Sequence, residues 1–413
     1  MSTLRPFKAY RPKPEFAAAV AAPPYDVLSS DEARTMAAGN PRSFLHVGKP
    51  EIDLPRETSH YDPTVYAKGR ENLQKLLDEG ILVEDAESYL YVYAQTMDGR
   101  TQYGIVGCAS VEEYWNDTIK KHELTRKDKE EDRCNHVRVT NSHSGPIFLT
   151  YRDDATIDAI AKRIVITSPD NDHVAADGIR HTTWVIRSWA DTDAIQKRFA
   201  AIPNLYVADG HHRSAAAAIV GRERKQANPS HRGDEEYNFF LAVCFPSSQL
   251  RILDYNRVVK DLNGMTREEF LGKLKSKFSV ERAAGPVKPS RKGEFGLYLE
   301  GAWYRLQAVS ELLNSADPVV RLDVSILQVH VLESILGIAD IRTDKRIDFV
   351  GGIRGLDELE KRVNSGEMKL AFSMFPTSLD ELMAIADAGK IMPPKSTWFE
   401  PKLRDGLFVH FLS

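Results

Sequence analysis

Hydrophobic and polar positions change their period several times along the chain, which predicts an alternation of helices and strands. Apolar residues recur at helical spacing over residues 66–78, and Gly80 ends this predicted helix. Two strand-like runs, 88–95 and 101–110, flank Met97-Asp98-Gly99. An Asp-Gly pair between such runs favours a β-hairpin. The first hundred residues therefore already indicate a mixed α and β protein.

The segment 205–245 has the clearest change of pattern. We predict a strand over Leu205–Ala208, an alanine-rich helix over residues 210–221 and a strand over Phe239–Phe245. The charged loop 222–236 between helix and second strand leaves the relative direction of the two strands open. The order of elements indicates a β-α-β unit.

The pattern changes again after about residue 257. Predicted helices over residues 266–278, 325–336 and 379–388 alternate with a hairpin near residues 295–306. We predict a mixed α/β fold with two domains, residues 1–257 and 258–413, with a soft boundary between them.

Composition narrows the class of protein. The chain has 413 residues, is 42% hydrophobic and 28% charged, and has a formal net charge of −4. This net charge gives no overall positive potential that would attract nucleic acid. The longest apolar run, Phe239–Phe245, is too short to cross a membrane. Three cysteines without CxxC spacing and no signal-peptide pattern predict a cytoplasmic protein without structural zinc. We expect a small-molecule substrate and leave the oligomeric state open.

The strongest candidate site is the turn between the predicted strand and the alanine-rich helix. Asp209 and Gly210 end the strand, and His211, His212 and Arg213 open the helix. Unpaired amides and the positive end of the helix dipole lie at a helix start, and three cationic or polar donors there favour a phosphate site. The alternative is a helix capped by Asp209 with its polar side chains in solvent. Because sequence neighbours rarely ligate one ion together, we assign no metal ligands here.

A second candidate lies in the charged run from Lys120 to Arg133, in which 11 of 14 residues are charged. Its His122, Glu123 and Arg126 combine an acid with a cationic partner one helical turn away, as a catalytic acid requires. A solvated helix crossed by ion pairs explains the same pattern, and both interpretations stay open.

Two proline-stiffened segments supply further candidates. Asp26 follows Pro23-Pro24-Tyr25, where it is either a rigidly held catalytic acid or a turn-initiating residue. Lys395 and Thr397 follow Pro393-Pro394 and could contact an anion. This second segment lacks the glycines of a P-loop.

Together these motifs resemble a bacterial and archaeal family catalogued as a domain of unknown function, number one thousand and fifteen. The resemblance rests on the following motifs: Arg5-Pro-Phe7, Ala22-Pro-Pro-Tyr-Asp-Val27, Lys121-His-Glu-Leu-Thr125, Tyr206-Val-Ala-Asp-Gly-His-His-Arg213 and Met392-Pro-Pro-Lys-Ser-Thr397. They span nearly the whole chain.

The Asp-Gly-His-His-Arg box is also similar to the phosphate-binding box of the ParB/sulfiredoxin superfamily, which includes free-serine kinases. This implies a ParB/sulfiredoxin-like nucleotide-binding core with large insertions, plus a C-terminal α/β region. It also implies ATP or ADP with Mg²⁺ as cofactors. The implied roles are catalysis for Asp209, Glu123 and Asp26, phosphate binding for Gly210, His211, His212 and Arg213, and substrate binding for His122, Arg126, Lys395 and Thr397.

Three hypotheses follow. The first is a kinase that transfers phosphate from ATP or ADP to a small hydroxyl compound, with free L-serine as the leading acceptor. The second is a nucleotide-binding regulatory protein with slow or no turnover. The third is a metal-dependent hydrolase that uses His211, His212 and Glu123.

Overall fold

The computed structural model describes residues 1–413 and contains both element types throughout, so the predicted mixed α/β class is confirmed. The strands are β1 (Leu4–Arg5), β2 (Tyr10–Pro12), β3 (Leu82–Glu84), β4 (Leu90–Met97), β5 (Arg100–Ser110), β6 (Ile119–Lys120), β7 (Ser142–His143), β8 (Ile147–Tyr151), β9 (Asn171–Val174), β10 (Arg180–Ile186), β11 (Leu205–Asp209), β12 (Phe239–Pro246), β13 (Tyr255–Val259), β14 (Phe278–Arg282), β15 (Glu294–Leu299), β16 (Ala302–Ala308), β17 (Ile347–Gly351), β18 (Leu370–Ser373) and β19 (His410–Phe411). The α-helices are α1 (Ala17–Val20), α2 (Ser30–Ala37), α3 (Leu45–Gly48), α4 (Pro63–Asp78), α5 (Val111–Trp115), α6 (Lys127–Thr140), α7 (Ala155–Ile164), α8 (Trp189–Ala201), α9 (His211–Ala227), α10 (Arg267–Leu274), α11 (Ser310–Leu313), α12 (Asp323–Leu327), α13 (Gly355–Asn364) and α14 (Leu379–Asp387).

The chain divides into two compact units. The first comprises residues 1–250 and 401–413, and the second comprises residues 251–400. This division differs from the predicted one because the last 13 residues return to the first unit. There β19 pairs with β7, and Val409 exchanges backbone hydrogen bonds with Tyr10. The assignment of independent domains to residues 1–257 and 258–413 stays a prediction.

A nine-stranded mixed sheet organises the first unit. Its order is β6-β11-β8-β12-β5-β4-β10-β9, with β1 paired to β5. Its central strands carry continuous apolar runs because both faces of the sheet are covered; every residue from Phe240 to Pro246 is buried. The predicted hairpin forms β4 and β5, and its turn residues Asp98 and Gly99 adopt positive φ angles of 51° and 74°.

The strands on either side of α9 run in opposite directions. β12 is parallel to β8, while β11 is antiparallel to β8, so β11 and β12 are antiparallel to each other. The segment is thus a strand–helix–strand unit without the parallel crossover of a β-α-β motif. The register between β11 and β8 shifts after Val207, which leaves Asp209 at an irregular strand end.

The charged run is helical only in part. Residues Ile119–Lys120 form a strand paired with β11, and α6 begins at Lys127. The expectation of a solvated helix over the whole run is therefore wrong. Five residues of α6 are buried, because this helix packs against α4 and α9. They are Asp132, Cys134, His136, Val137 and Thr140.

The second unit contains a six-stranded antiparallel sheet in the order β14-β16-β15-β18-β13-β17. Helix α13 packs against it through Leu359 and Val363. The predicted helix over residues 325–336 is instead the short α12 followed by a π-helical segment, Gln328–Glu333. In neither unit is any helix both long and apolar enough to cross a membrane.

Candidate functional site

The site begins where β11 ends and α9 starts. Gly210 has a φ of 90°, a conformation that is strained for side chains with a Cβ, and no side chain caps the start of α9. A Cβ at this position would lie 3.1 Å from Nε of Arg213. At the start of the 17-residue α9, the backbone amides of the first turn therefore have no side-chain cap, and the guanidinium of Arg213 lies close to them.

Asp209 lies between two cations at this turn. Its Oδ2 accepts a hydrogen bond from Nη2 of Arg213 at 3.4 Å, and its Oδ1 lies 3.5 Å from Nζ of Lys402. Burial opposes ionisation of the carboxyl, but Lys402, Arg213 and His211 outweigh it and lower its pKa. Asp209 is therefore ionised at neutral pH, and its side chain remains 28% exposed.

Arg213 is buried with part of its donor capacity unused. Its side chain is 9% exposed, and Nε and Nη1 have no hydrogen-bond partner. Nη1 lies 3.6 Å from Oδ1 of Asp405. Burial disfavours the charged guanidinium, but Asp26, Asp405 and Asp209 raise its pKa. Buried guanidinium donors without acceptors are costly, so an anion at this point would satisfy them.

Arg213 also lines a small cavity, which we call the arginine cavity. Its volume is about 30 Å³, more than the roughly 10–15 Å³ that one water needs. Its polar lining residues are Tyr25, Arg133, His136, His143, Ser144, Arg213 and Asp405. Two arginines thus face one hollow. The guanidinium of Arg213 is therefore neither exposed to solvent nor fully enclosed by apolar side chains.

Asp405 is the principal acid of the arginine cavity. Burial, opposed by Arg213 and reinforced by Asp26, raises its pKa to about 7. Its Oδ1 accepts no hydrogen bond. Its backbone exchanges hydrogen bonds with Ala22, at the start of the Pro-Pro-Tyr-Asp segment. The C-terminal segment and the N-terminal proline segment therefore meet at Arg213.

Arg133 enters the arginine cavity from α6. Its side chain is 11% exposed, pairs with Asp132 at 2.8 Å and lies 4.0 Å above the ring of Tyr25. Burial opposes its charge, but Asp132 and Tyr25 raise its pKa. Nε2 of His136, one helical turn further, donates a hydrogen bond to the Val47 carbonyl at 2.9 Å, and burial lowers the pKa of this histidine to about 4.

His122, Glu123 and His211 form a second cluster, which we call the His–Glu–His cluster. Their potential ligand atoms all lie within 4.8 Å of one another. The imidazole rings of His122 and His211 are perpendicular, with centroids 4.4 Å apart, and Nδ1 of His211 lies 3.9 Å from Oε2 of Glu123. The structure thus brings together three predicted site residues from two distant segments: Glu123 as a catalytic candidate, His122 as a substrate-binding candidate and His211 as a phosphate-binding candidate.

The remaining candidates of the first unit lie around this turn in different environments. Nε2 of His212 accepts a hydrogen bond from the backbone amide of Arg126 at 3.1 Å. The Arg126 side chain is 65% exposed and pairs with Asp128. Asp26 is exposed, yet it acts electrostatically on both His212 and Arg213. These residues border the turn rather than fill it.

Lys395 and Thr397 belong to the second unit. The Lys395 carbonyl accepts a hydrogen bond from the buried Arg257, and its ammonium lies 5.7 Å from the ring centroid of Tyr255. Their substrate-binding roles stay predictions.

Sequence reasoning missed Arg133, Lys402 and Asp405. Arg133 was hidden in a run of charges whose solvent exposure was expected. Lys402 and Asp405 lie almost 200 residues after Asp209, and no local pattern indicated that residues 401–413 return to the first sheet. The available signal was the acid-glycine pair Asp405-Gly406, in which Gly406 has a φ of 84°.

Comparison with known proteins identifies the family. The model of the family described as "Protein of unknown function (DUF1015)" matches residues 4–325. The chain belongs to this family. No curated protein matches this family member significantly.

Several solved structures resemble this DUF1015 protein at low similarity. One is a free serine kinase in complex with AMP, with 14% identity, 72% of this chain and 86% of the other covered, and a TM-score of 0.35. A conserved hypothetical protein from Pyrococcus furiosus has 14% identity, coverages of 73% and 93%, and a TM-score of 0.34. SbnI with C-terminal truncation from Staphylococcus aureus has 11% identity, coverages of 73% and 85%, and a TM-score of 0.39.

Proposed function

We propose that the protein is a phosphotransferase that binds ATP or ADP at the 209–213 turn and phosphorylates a small hydroxyl compound. The observation that carries this proposal is Arg213, a buried guanidinium in the first turn of α9 in which Nε and Nη1 make no hydrogen bond. A phosphate oxygen would accept from these nitrogens and from the uncapped helix amides together.

Each residue of the turn has a different role in the proposed reaction. Arg213 and the amides of His211 and His212 bind the phosphate and neutralise the charge that develops during transfer. Lys402 and Arg213 lower the pKa of Asp209, so its carboxylate is a weak base. Its proposed role is instead to orient a cation or the donor phosphates. Glu123 and Asp26 then compete for the role of the base that accepts the hydroxyl proton.

The implied nucleotide and Mg²⁺ fit this set of residues. Mg²⁺ is usually held by one or two carboxylates together with substrate phosphates, and the ionised Asp209 is 28% exposed beside Arg213. Bound Mg²⁺ would neutralise charge on the transferred phosphoryl group. Free L-serine is the first acceptor to test, because the Asp-Gly-His-His-Arg box resembles that of the free-serine kinases.

The proposal is tested by phosphorus NMR on the whole chain. The protein is incubated with Mg²⁺, ATP or ADP and either L-serine or a pool of small hydroxyl metabolites. A new phosphomonoester signal that requires the protein and disappears in the Asp209→Asn variant supports the proposal. Thermal stabilisation by nucleotide without any product instead supports a nucleotide-binding regulatory protein. If nucleotide gives neither a phosphorylated product nor thermal stabilisation, the phosphotransferase and the regulatory-protein hypotheses are both overturned.

A further inference from the structure

The His–Glu–His cluster adjoins the proposed phosphate site through His211, but the chemistry of its side chains is that of a metal site. His122 follows β6 and His211 starts α9, and these elements are brought together by the parallel pairing of β6 with β11. Two imidazoles and one carboxylate thus converge from segments almost 90 residues apart. Such a donor set is typical of Zn²⁺ and other divalent transition metals, whereas Mg²⁺ prefers oxygen ligands only.

Unused nitrogen atoms support this assignment. His122 is 2% exposed, and neither of its ring nitrogens makes a hydrogen bond of normal geometry, although the Val207 backbone carbonyl lies close to the ring. His211 is 7% exposed, and its Nε2 has no partner either. Because buried polar atoms are nearly always satisfied, unpaired nitrogens on two adjacent imidazoles require an explanation. A bound cation would take one nitrogen of each ring.

The geometry is close to that of a metal centre. Ligands at the usual zinc distances of about 2.0–2.1 Å lie roughly 3.3 Å apart in a tetrahedral site. The 3.9 Å between Nδ1 of His211 and Oε2 of Glu123, and the 4.8 Å limit for all three ligand atoms, need only small side-chain rotations.

We propose that His122, Glu123 and His211 bind one divalent transition-metal ion, with at least one coordination position left for water or substrate. This ligand set differs from the His211, His212 and Glu123 set considered for a hydrolase. His212 already accepts a hydrogen bond from Arg126 through Nε2. The proposal does not depend on phosphotransferase activity, and with Glu123 as a metal ligand Asp26 remains the candidate base of the proposed phosphoryl transfer.

The test uses metal binding to the purified chain without nucleotide. Cobalt(II) is titrated into metal-free protein and followed by its visible absorption and by calorimetry, with Zn²⁺ as the competing ion. We expect one equivalent to bind, Zn²⁺ to displace it, and His122→Ala and His211→Ala to weaken binding by at least about a hundredfold. Glu123→Gln, whose side chain is 41% exposed, tests the same site with little risk to folding.

Two histidine variants serve as controls. His212→Ala lies in the same turn, and His60→Ala removes a histidine whose side chain is 62% exposed. Both should bind cobalt with the affinity of the unmodified chain. The proposal is overturned if the unmodified chain binds no stoichiometric cobalt. It is equally overturned if His122→Ala and Glu123→Gln bind as well as the unmodified chain while remaining folded by circular dichroism.

Discussion

Nη2 of Arg213 lies 3.4 Å from Oδ2 of Asp209, so the last residue of β11 and the first turn of α9 are joined by an ion pair. This pair holds the guanidinium across Gly210, whose positive φ allows the strand to turn directly into the helix. Arg213 lines the arginine cavity, and its Nε and Nη1 make no hydrogen bond. The functional account depends on this arrangement.

Replacement of Arg213 tests the guanidinium fork rather than the charge. In Arg213→Lys the cation remains, but an ammonium cannot make the parallel contacts of a guanidinium. Loss of one or two charge-assisted hydrogen bonds, at roughly 1.5–3 kcal/mol, should weaken ADP binding by about 10- to 150-fold in calorimetry. Arg222→Gln, on the same helix with its guanidinium over the Trp115 ring, is the control and should bind normally. Equal affinities for all three proteins would contradict the assignment.

Replacement of Asp209 tests its role in turnover. Asp209→Asn keeps the shape of the side chain but removes the charge between Lys402 and Arg213. Because Asp209 would orient the cation or the donor phosphates, we expect phosphoryl transfer to fall by at least about a hundredfold, which is more than the loss of nucleotide affinity. Initial rates at saturating nucleotide measure this, with the exposed Asp128→Asn as control. Unimpaired transfer in Asp209→Asn would remove this residue from the mechanism.

Comparison of Gly210→Ala with Gly178→Ala distinguishes the effect of backbone strain from the effect of disturbing the site. Both have positive φ angles, 90° and 81°, but a Cβ at Gly178 meets nothing within 4 Å, whereas one at Gly210 meets Arg213. Each change to alanine should lower the free energy of unfolding by about 1 kcal/mol. In ligand titrations only Gly210→Ala should also lose ADP binding. Loss of binding in both variants, or in neither, would contradict the role of the turn.

Asp405 gives the first unit a characteristic dependence of stability on pH. Its pKa is about 7 in the folded protein against an ordinary value of 3.8, so the folded state binds its proton more tightly than the unfolded state does. The associated stability is complete below about pH 4 and is lost as the pH rises to 7. We therefore compare the free energy of unfolding of the unmodified protein with that of Asp405→Asn. Since one pKa unit corresponds to about 1.4 kcal/mol, the difference between the two should fall by on the order of 2–4 kcal/mol between pH 4.5 and 8. Denaturant titrations at several pH values measure this difference, and a constant difference would rule out the raised pKa.

Local patterns predicted the local elements well. The Asp98-Gly99 hairpin, α4 and the strand–turn–helix at Asp209 all follow from residues adjacent in sequence, where turn and cap chemistry acts directly. The pairing of β11 with β8 and of β19 with β7 could not be predicted, because such pairings are decided by tertiary packing. The same reason hid Asp405 and Lys402 from the predicted site. It also hid the proximity of His122 to His211.

Titration of the full chain with ADP, followed by calorimetry, tests the central claim most directly, since the claim is that the 209–213 turn grips a phosphoryl group. The account predicts saturable binding of one ADP per chain that Arg213→Gln weakens at least about tenfold and Arg222→Gln leaves intact. Absence of ADP binding, or binding that Arg213→Gln leaves unchanged in a folded protein, would contradict it.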